Sequence, residues 1–311
     1  MLSRRNIRIK VMQTLYAASR DIELDRKSTE RTYRSGVAAS FELYLFHLYS
    51  FITFLKVSKE DAKNRSAKHL PNAEDKLFTE KIYNNPLIHS LLQSAELKSL
   101  FDQKGFSLKL ELDIVRKVYK DYSETDEYRA FIIAETLDNE TYMKQLLTAY
   151  KYMAKHEHFA DHTESIYSCW IDDKSLILGT MKKTIKLLPA ESDFFRSFIP
   201  PAETVDEFGT TLMNHVLDED AELLATIDPV LENWDASRVA ILDMIFLKMA
   251  VCEMMYFPTI PTKVTLNEFV ELAKTYSTDK SKEFVNGILD KLMKKLSTDG
   301  KIAKEGRGLV G

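Results

Sequence analysis

The sequence predicts an all-α protein, and two observations support this class. Only 9 glycines and 8 prolines occur among 311 residues, fewer than the frequent turns of a sheet protein require. Apolar residues recur at helical spacing through long uninterrupted stretches. Hydrophobic residues make up 45% of the chain, enough for one large core or two smaller ones. We therefore expect helices nearly throughout.

The first predicted helix is amphipathic and basic. Residues 1–20 contain no acidic side chain, and their basic residues are Arg4, Arg5, Arg8, Lys10 and Arg20. Arg8 projects near the apolar stripe that begins at Ile7, so we expect it at the border of the core with its guanidinium in solvent. Basic residues in a first helical turn oppose the helix dipole at a cost of about 0.3–1 kcal/mol, which suggests a function for them. The alternative is a solvated basic terminus without a ligand.

The middle of the chain carries helical patterns of its own. Residues 37–57 place a wide apolar face on one helix, formed by Phe41, Leu45, Leu48, Phe51, Ile52 and Leu55. Loop signals occur at residues 64–74, at 84–86 and at Pro200 and Pro201. We expect this region to be folded.

A long apolar helix is predicted from Ala236 to Tyr256, with Asp235 as its N-cap and Pro258 beyond its end. Its charged residues, Arg238, Asp243, Lys248 and Glu253, lie five positions apart. Each is therefore about 140° further around the helix, and no broad solvent face results. This pattern indicates a central helix surrounded by others, with its charges paired at the ends of the core.

Two further amphipathic helices follow in the stretch VTLNEFVELAKTYSTDKSKEFVNGILD, from Val264 to Asp290. Thr265 and Glu268 have the spacing of a capping box for the first helix. Asp279 is the predicted N-cap of the second helix. Gly287 interrupts the apolar stripe of that helix, and this suggests close approach of another backbone or a functional surface.

Motifs at both ends of the chain resemble those of the NusB family. The C-terminal matches are Val264, Asn267, Glu268, Glu271 to Lys274 and Phe284 to Asp290; the N-terminal ones are Arg4, Arg5, Arg8, Gln13, Leu15 and Tyr16. A third similarity to the family covers Phe208, Leu212, Val216, Leu223 and the run from Ile227 to Trp234. The resemblance implies a NusB-like helical bundle with an additional inserted helical region. The implied divisions are a first core helix in 1–27, an insertion in 28–204, a C-terminal core in 205–296 and a disordered tail in 297–311.

By the same resemblance, the protein is expected to be an RNA-binding transcription antitermination factor. Such a factor recognises boxA-type RNA of nascent ribosomal transcripts together with ribosomal protein NusE, and acts indirectly with other Nus factors and RNA polymerase. The expected RNA-binding residues are Arg4, Arg5, Arg8, Gln13, Tyr16, Lys280, Ser281, Lys282 and Phe284. Arginine suits phosphate because its planar fork donates two parallel hydrogen bonds, and aromatic rings stack on unpaired bases. Core packing is the alternative for Tyr16 and for Phe284. Asn6 and Glu283 depart from the family pattern and weaken the basic patch.

Composition limits the other function classes. The formal net charge of −4 means that any nucleic-acid site is a local patch. No run of 18 uncharged apolar residues occurs, and two cysteines cannot form a disulfide framework, so we expect a cytoplasmic protein without a membrane span. Known catalytic and nucleotide-binding motifs are missing, so we expect no enzyme activity and no cofactor.

Two alternatives remain open at this point. One is a helical protein-interaction scaffold that has lost RNA binding, with the insertion as its binding region. The other is a metal-dependent hydrolase built on His156, His158 and His162, of which the last two have a spacing that can chelate a metal. Because this cluster has no evident third ligand, we predict no metal site.

Overall fold

Every regular element is helical in the parts of the chain that the structure describes. The structure is a computed structural model, and it describes residues 1–21, 23–73, 75–135, 137–231 and 238–309. Two compact units make it up. The first comprises Met1 with Ala38–Ile199, and the second comprises Leu2–Val37 with Pro200–Gly311. The predicted all-α class is confirmed.

Fifteen α-helices occur in the described ranges. In chain order they are α1 Arg4–Arg20, α2 Arg26–Ser66, α3 His89–Gln93, α4 Ala95–Gln103, α5 Phe106–Lys109, α6 Leu112–Ser123, α7 Asp126–Ile133, α8 Asn139–Lys155, α9 Glu157–Ile166, α10 Trp170–Lys186, α11 Thr211–Asp218, α12 Asp220–Ile227, α13 Ile241–Tyr256, α14 Thr262–Tyr276 and α15 Ser281–Thr298. A π-helical segment, Glu203–Thr210, runs directly into α11. Short 3₁₀ turns lie at Pro86–Ile88, Phe194–Phe198, Asp228–Val230 and Gly306–Leu309.

The first unit is built around the apolar part of α2. Phe46 is fully buried, and its ring lies 5.3 Å from that of Tyr167 and 5.7 Å from that of Phe106. In the described chain, α2 is the one helix long and apolar enough to cross a membrane. Of its most apolar window, 67% is buried inside the protein, which is the pattern of a core helix.

The second unit is built around α13, most of whose side chains are buried. Helices α1, α11, α12, α14 and α15 all contact it. This confirms the predicted central helix, although it begins at Ile241 and not at residue 236. The predicted cap Asp235 lies outside the described residues, as does Trp234.

The boundaries between the two compact units fall at residues 37–38 and 199–200, whereas the sequence analysis placed the bounds of the insertion at 28 and 204. The first of these boundaries falls inside the continuous helix α2. Side-chain periodicity therefore gives no sign of it, because the helical pattern continues through the boundary.

Both predicted helix caps near the C-terminus are wrong. Helix α14 begins at Thr262, after Pro261, so Thr265 lies one turn inside the helix and donates a hydrogen bond to Glu253. Helix α15 begins at Ser281 after Lys280, and Asp279 does not cap it. A capping box occurs instead at the start of α1, where the backbone N–H of Asn6 donates to Ser3 Oγ and the N–H of Ser3 donates to Asn6 Oδ1.

The described part of the tail is hydrogen-bonded to the second unit. The backbone N–H of Glu305 donates to the Pro258 carbonyl at 3.0 Å, and Lys304 Nζ donates to the Phe257 carbonyl at 3.0 Å. Gly308 is buried, and a Cβ placed on it would overlap the Pro258 carbonyl oxygen. These contacts attach a segment that the sequence predicted to be disordered.

Candidate nucleic-acid interface

Arg8 is buried, and the prediction that its guanidinium lies in solvent is wrong. Its side chain is 3% exposed, and that of Glu253 is 0% exposed. Arg8 Nε donates to Glu253 Oε2 at 2.7 Å, and Arg8 Nη2 donates to Glu253 Oε1 at 2.7 Å. Thr265 Oγ1 also donates to this carboxylate, at 2.7 Å. The guanidinium carbon lies 5.3 Å from the centre of the Phe208 ring. Arg8 therefore anchors α1 to α13, and it is not available to a phosphate.

Arg4 and Arg5 remain accessible at the start of α1. Each side chain is 45% exposed. Arg4 lies 3.8 Å from Glu203, and Arg5 lies 3.8 Å from Glu268. Ion pairs this long at an exposed surface contribute little, about 0–1 kcal/mol, so an incoming phosphate can displace the carboxylates. We call this pair of arginines the arginine end of the candidate RNA-binding surface.

A second group of predicted residues lies around the C-terminal half of α1. Tyr16 is 41% exposed, which leaves part of its ring accessible, and Gln13 is partly buried. Leu15 and Ala18 line the same surface cavity as Ile241, at the start of α13. Helix α1 therefore runs antiparallel to α13, with Arg8 beside the C-terminal half of α13 and Tyr16 near its N-terminal end.

The start of α15 also lies at the N-terminal end of α13. Ser281 is 1% exposed and donates to Asp243 Oδ2 at 2.7 Å, so it cannot contact RNA directly without leaving that bond. Lys280 and Lys282 are exposed and Phe284 is partly buried. Glu283, also exposed, places a negative charge among them. We call Tyr16, Lys280, Lys282 and Phe284 the aromatic end of the surface.

The predicted site residues therefore lie toward two opposite ends of α13. Asp243 and Glu253, which mark the two ends, are ten positions apart on α13. At 1.5 Å per residue, this places the ends about 15 Å apart along the helix axis. A single RNA strand would have to extend at least this far over the surface to contact both ends.

The histidines near residue 160 are not assembled into one site. His156 Nε2 is 3.1 Å from Asp121 Oδ2, and the buried His162 accepts a hydrogen bond at Nε2 from the backbone N–H of Glu111. His158 is exposed. Among the described residues, no group of three or more His, Cys, Asp or Glu side chains has an arrangement that could hold a metal ion.

Comparison with known proteins identifies the family. The model of the NusB family matches residues 179–294. The transcription antitermination protein NusB of Lactiplantibacillus plantarum is 37% identical over 109 residues, which cover 33% of this chain and 78% of that protein. The chain belongs to the NusB family. The fold expected from the resemblance, a NusB bundle with additional helices, is confirmed.

Two other NusB relatives are matched over less of their length. The transcription antitermination protein NusB of Chloroherpeton thalassium is 40% identical over 104 residues, or 33% of this chain and 49% of that protein. That of Salinibacter ruber is 38% identical over 101 residues, or 31% of this chain and 63% of that protein. The chain thus spans about half of the first of these relatives and less than two thirds of the second. No solved structure matches it.

The NusB match begins inside α10, upstream of the predicted core boundary at 205. It includes α11 to α14 and most of α15, and it leaves the arginine end outside the matched residues.

Sequence reasoning missed the partners that determine which arginines are free. Glu253, Thr265 and Phe208 surround Arg8, and Asp243 holds Ser281. The available signal was a pair of carboxylates inside an apolar helix, since a buried charge requires a partner. The sequence did not indicate which residue supplies it.

Proposed function

We propose that this NusB-family protein is an RNA-binding transcription antitermination factor that acts by binding and without catalysis. It recognises boxA-type RNA of nascent ribosomal transcripts together with ribosomal protein NusE, in the cytoplasm, and engages other Nus factors and RNA polymerase indirectly. The observation that carries the proposal is the exposure of Arg4 and Arg5 on a helix that the buried Arg8–Glu253 pair fixes in place. Three relatives bear the name transcription antitermination protein NusB, which supports it.

In the proposed binding mode, the two ends have different roles. Arg4 and Arg5 neutralise phosphates, and the aromatic end holds unpaired bases through Tyr16 and Phe284. Lys280 and Lys282 add phosphate contacts beside the bases, and Gln13 offers an amide to a base edge. Arg8 and Ser281 are positioning residues in this mode, because their polar atoms are held by buried carboxylates.

A second candidate is a helical protein-interaction scaffold without RNA binding. It is favoured by the carboxylates beside the proposed phosphate contacts, Glu203 and Glu268 at the arginine end and Glu283 at the aromatic end. Like charge next to a phosphate lowers affinity. Purification with protein partners and without RNA would support this candidate.

Fluorescence anisotropy separates the two candidates. The full chain is titrated into labelled boxA-type RNA and into a scrambled RNA of equal length, each with and without NusE. The antitermination proposal predicts selective binding of the boxA-type RNA that NusE strengthens. Equal binding of both RNAs in both conditions would contradict it.

A further inference from the structure

A surface cavity of about 350 Å³ lies in the first unit, and none of the predicted RNA-binding residues lines it. Its wall includes Lys151, Tyr152, Lys155 and His156, at the C-terminal end of α8, together with Tyr122 of α6. The volume is near the lower end of the range for small-ligand pockets, about 300–1,000 Å³. It is large enough for one nucleotide.

The two lysines supply unneutralised positive charge to this cavity. Lys151 and Lys155 are exposed and lie one helical turn apart on the same face of α8. Among the described residues, no carboxylate lies within 4.0 Å of either amine. Two free amines on one wall, spaced a turn apart, suit the oxygens of a single phosphate group.

Aromatic rings form another part of the wall, beside the lysines. The ring centroid of Tyr152 lies 5.2 Å from that of Tyr122 and 5.9 Å from that of His156. Tyr152 is only partly buried, so part of its ring is available to a flat ligand. Stacking on such rings is the common way for proteins to bind an unpaired base.

His156 gives an independent indication that the wall is incomplete. Its Nε2 faces Asp121 Oδ2 at 3.1 Å, and this hydrogen bond lowers the pKa of the Asp121 carboxyl below its usual value. Its Nδ1 is buried and has no hydrogen-bond partner among the described residues. Buried polar atoms are normally paired, and an unpaired one often marks the place of a ligand or water.

The acidic groups near the cavity restrict the kind of anion that fits. Glu127 lines the cavity. Burial raises the pKa of the Tyr152 hydroxyl, and the negative charges of Asp121 and Glu124 raise it further. Asp121 is itself paired with Lys117. A bare phosphate would gain little here, whereas a ligand with hydrogen-bond donors, such as sugar hydroxyls, can also satisfy Glu127.

We propose that this cavity binds a nucleoside monophosphate unit, with the phosphate on Lys151 and Lys155 and the base against Tyr152. The unit can be a free nucleotide or one residue of a single-stranded RNA. The residues of this site belong to the first unit, whereas those of the arginine and aromatic ends belong to the second, so variants at one site leave the other site's residues unchanged.

The test compares two double variants of the full chain. Lys151→Gln/Lys155→Gln removes the proposed phosphate contacts. Lys182→Gln/Lys186→Gln is the matched control, because those lysines are also exposed and four positions apart, on α10. A third variant, Tyr152→Leu, removes the ring. Binding is measured for AMP by calorimetry and for a labelled single-stranded RNA of about ten nucleotides by anisotropy, with thermal melts as a folding check.

The proposal predicts that Lys151→Gln/Lys155→Gln weakens binding of at least one probe by about tenfold, while the control changes it by less than about twofold. Tyr152→Leu should weaken the same probe by about fivefold or more. Loss for AMP identifies a free nucleotide as a ligand, and loss for the RNA alone identifies a strand. If both lysine variants give the same affinities for both probes, or if neither probe binds the native chain, the proposal is wrong.

Discussion

Arg8 and Glu253 form a buried ion pair joined by two hydrogen bonds of 2.7 Å, linking α1 to α13 across 245 positions of the chain. In its place between the two helices, the guanidinium is also 5.9 Å from the centre of the Phe269 ring. The pair fixes the start of α1 and thereby the position of the neighbouring Arg4 and Arg5.

Removal of one partner should destabilise the protein strongly. Glu253→Gln leaves the buried Arg8 guanidinium with only the partly exposed Glu268, 3.4 Å away, as a counter-charge. We expect the free energy of unfolding to fall by about 3–5 kcal/mol. Urea unfolding measures this change. The control is Lys294→Gln, which removes an exposed pair with Asp290 and should change stability by less than about 1 kcal/mol.

The double variant Arg8→Met/Glu253→Leu provides a second check on the same pair. Because both charges are removed together, it should lose less stability than Glu253→Gln. Equal losses in the single and double variants would show that the pair matters through packing and not through its charges.

Two glycines should respond to alanine in opposite directions. A Cβ on Gly209 would overlap the Tyr33 hydroxyl oxygen, which is held in place because Tyr33 donates to the Val205 carbonyl. Gly209→Ala should therefore lower the free energy of unfolding by about 1–3 kcal/mol. A Cβ added to Gly287 meets no described atom within 4 Å outside the backbone of its own helix and its two chain neighbours, and Gly287 lies in the interior of α15. Gly287→Ala should therefore raise the free energy of unfolding by about 0.5–1 kcal/mol.

Gly287→Ala also tests whether that exposed helix face has a function. Among the described residues, nothing outside the backbone of α15 and the two chain neighbours lies within 4 Å of a Cβ built at Gly287, so the close approach that the sequence suggested would have to come from a partner. If RNA or NusE packs there, the variant should be more stable but bind more weakly in the anisotropy titration. Unchanged affinity would exclude a close contact at Gly287.

Ser281 should affect stability more than RNA binding. Ser281→Ala removes a donor from Asp243 Oδ2, and the other oxygen of that buried carboxylate already has no partner among the described residues. We expect the free energy of unfolding to fall by about 1–3 kcal/mol. Ser281→Ala should not change the salt dependence of RNA affinity. Lys282→Gln, at an exposed position, should make that salt dependence shallower without lowering the free energy of unfolding. The opposite pattern would restore Ser281 as an RNA contact.

Acid should destabilise the first unit through His47. This side chain is fully buried against Tyr150, and burial lowers its pKa to about 3. The pKa of His47 in the folded state lies below the unfolded value of about 6.5, so the unfolded state binds a proton more readily. The stability that neutral His47 contributes is therefore fully present above about pH 6.5 and is lost as the pH falls toward about 3. The slope from this group approaches 1.4 kcal/mol per pH unit within that window.

The His47→Gln variant isolates this effect, because glutamine keeps a polar group near the Tyr150 hydroxyl and does not titrate. Chemical unfolding at several pH values between about 4 and 7 should give a flatter stability profile for the variant than for the native chain. Parallel profiles would show that His47 does not cause the acid sensitivity.

Local patterns predicted the helices well because amphipathic periodicity is a property of neighbouring residues. The central position of α13 followed from its charges at intervals of five, and the stripe from Val285 to Leu296 predicted α15. The caps at Thr265 and Asp279 were wrong. Helix α14 begins three residues before Thr265, and α15 begins two residues after Asp279; the hydroxyls of Thr265 and Ser281 donate to the distant carboxylates Glu253 and Asp243.

The candidate site was less predictable, because exposure depends on tertiary packing. The basic residues at positions 4, 5 and 8 look equivalent in the sequence, yet only the first two are accessible. The cavity beside Lys151 and Lys155 gave no sequence signal, since its aromatic wall combines α6 with α8.

The most direct test of the proposed function is the salt dependence of RNA affinity in an arginine variant. Arg4→Gln/Arg5→Gln is compared with Arg26→Gln/Arg31→Gln, which removes two exposed arginines elsewhere in the second unit. If Arg4 and Arg5 bind phosphate, their variant should bind boxA-type RNA more weakly, and the slope of log affinity against log salt should become shallower by about 1.4. The control should keep the native slope. Identical affinity and slope in the native protein and the Arg4→Gln/Arg5→Gln variant would contradict the proposed RNA-binding mode.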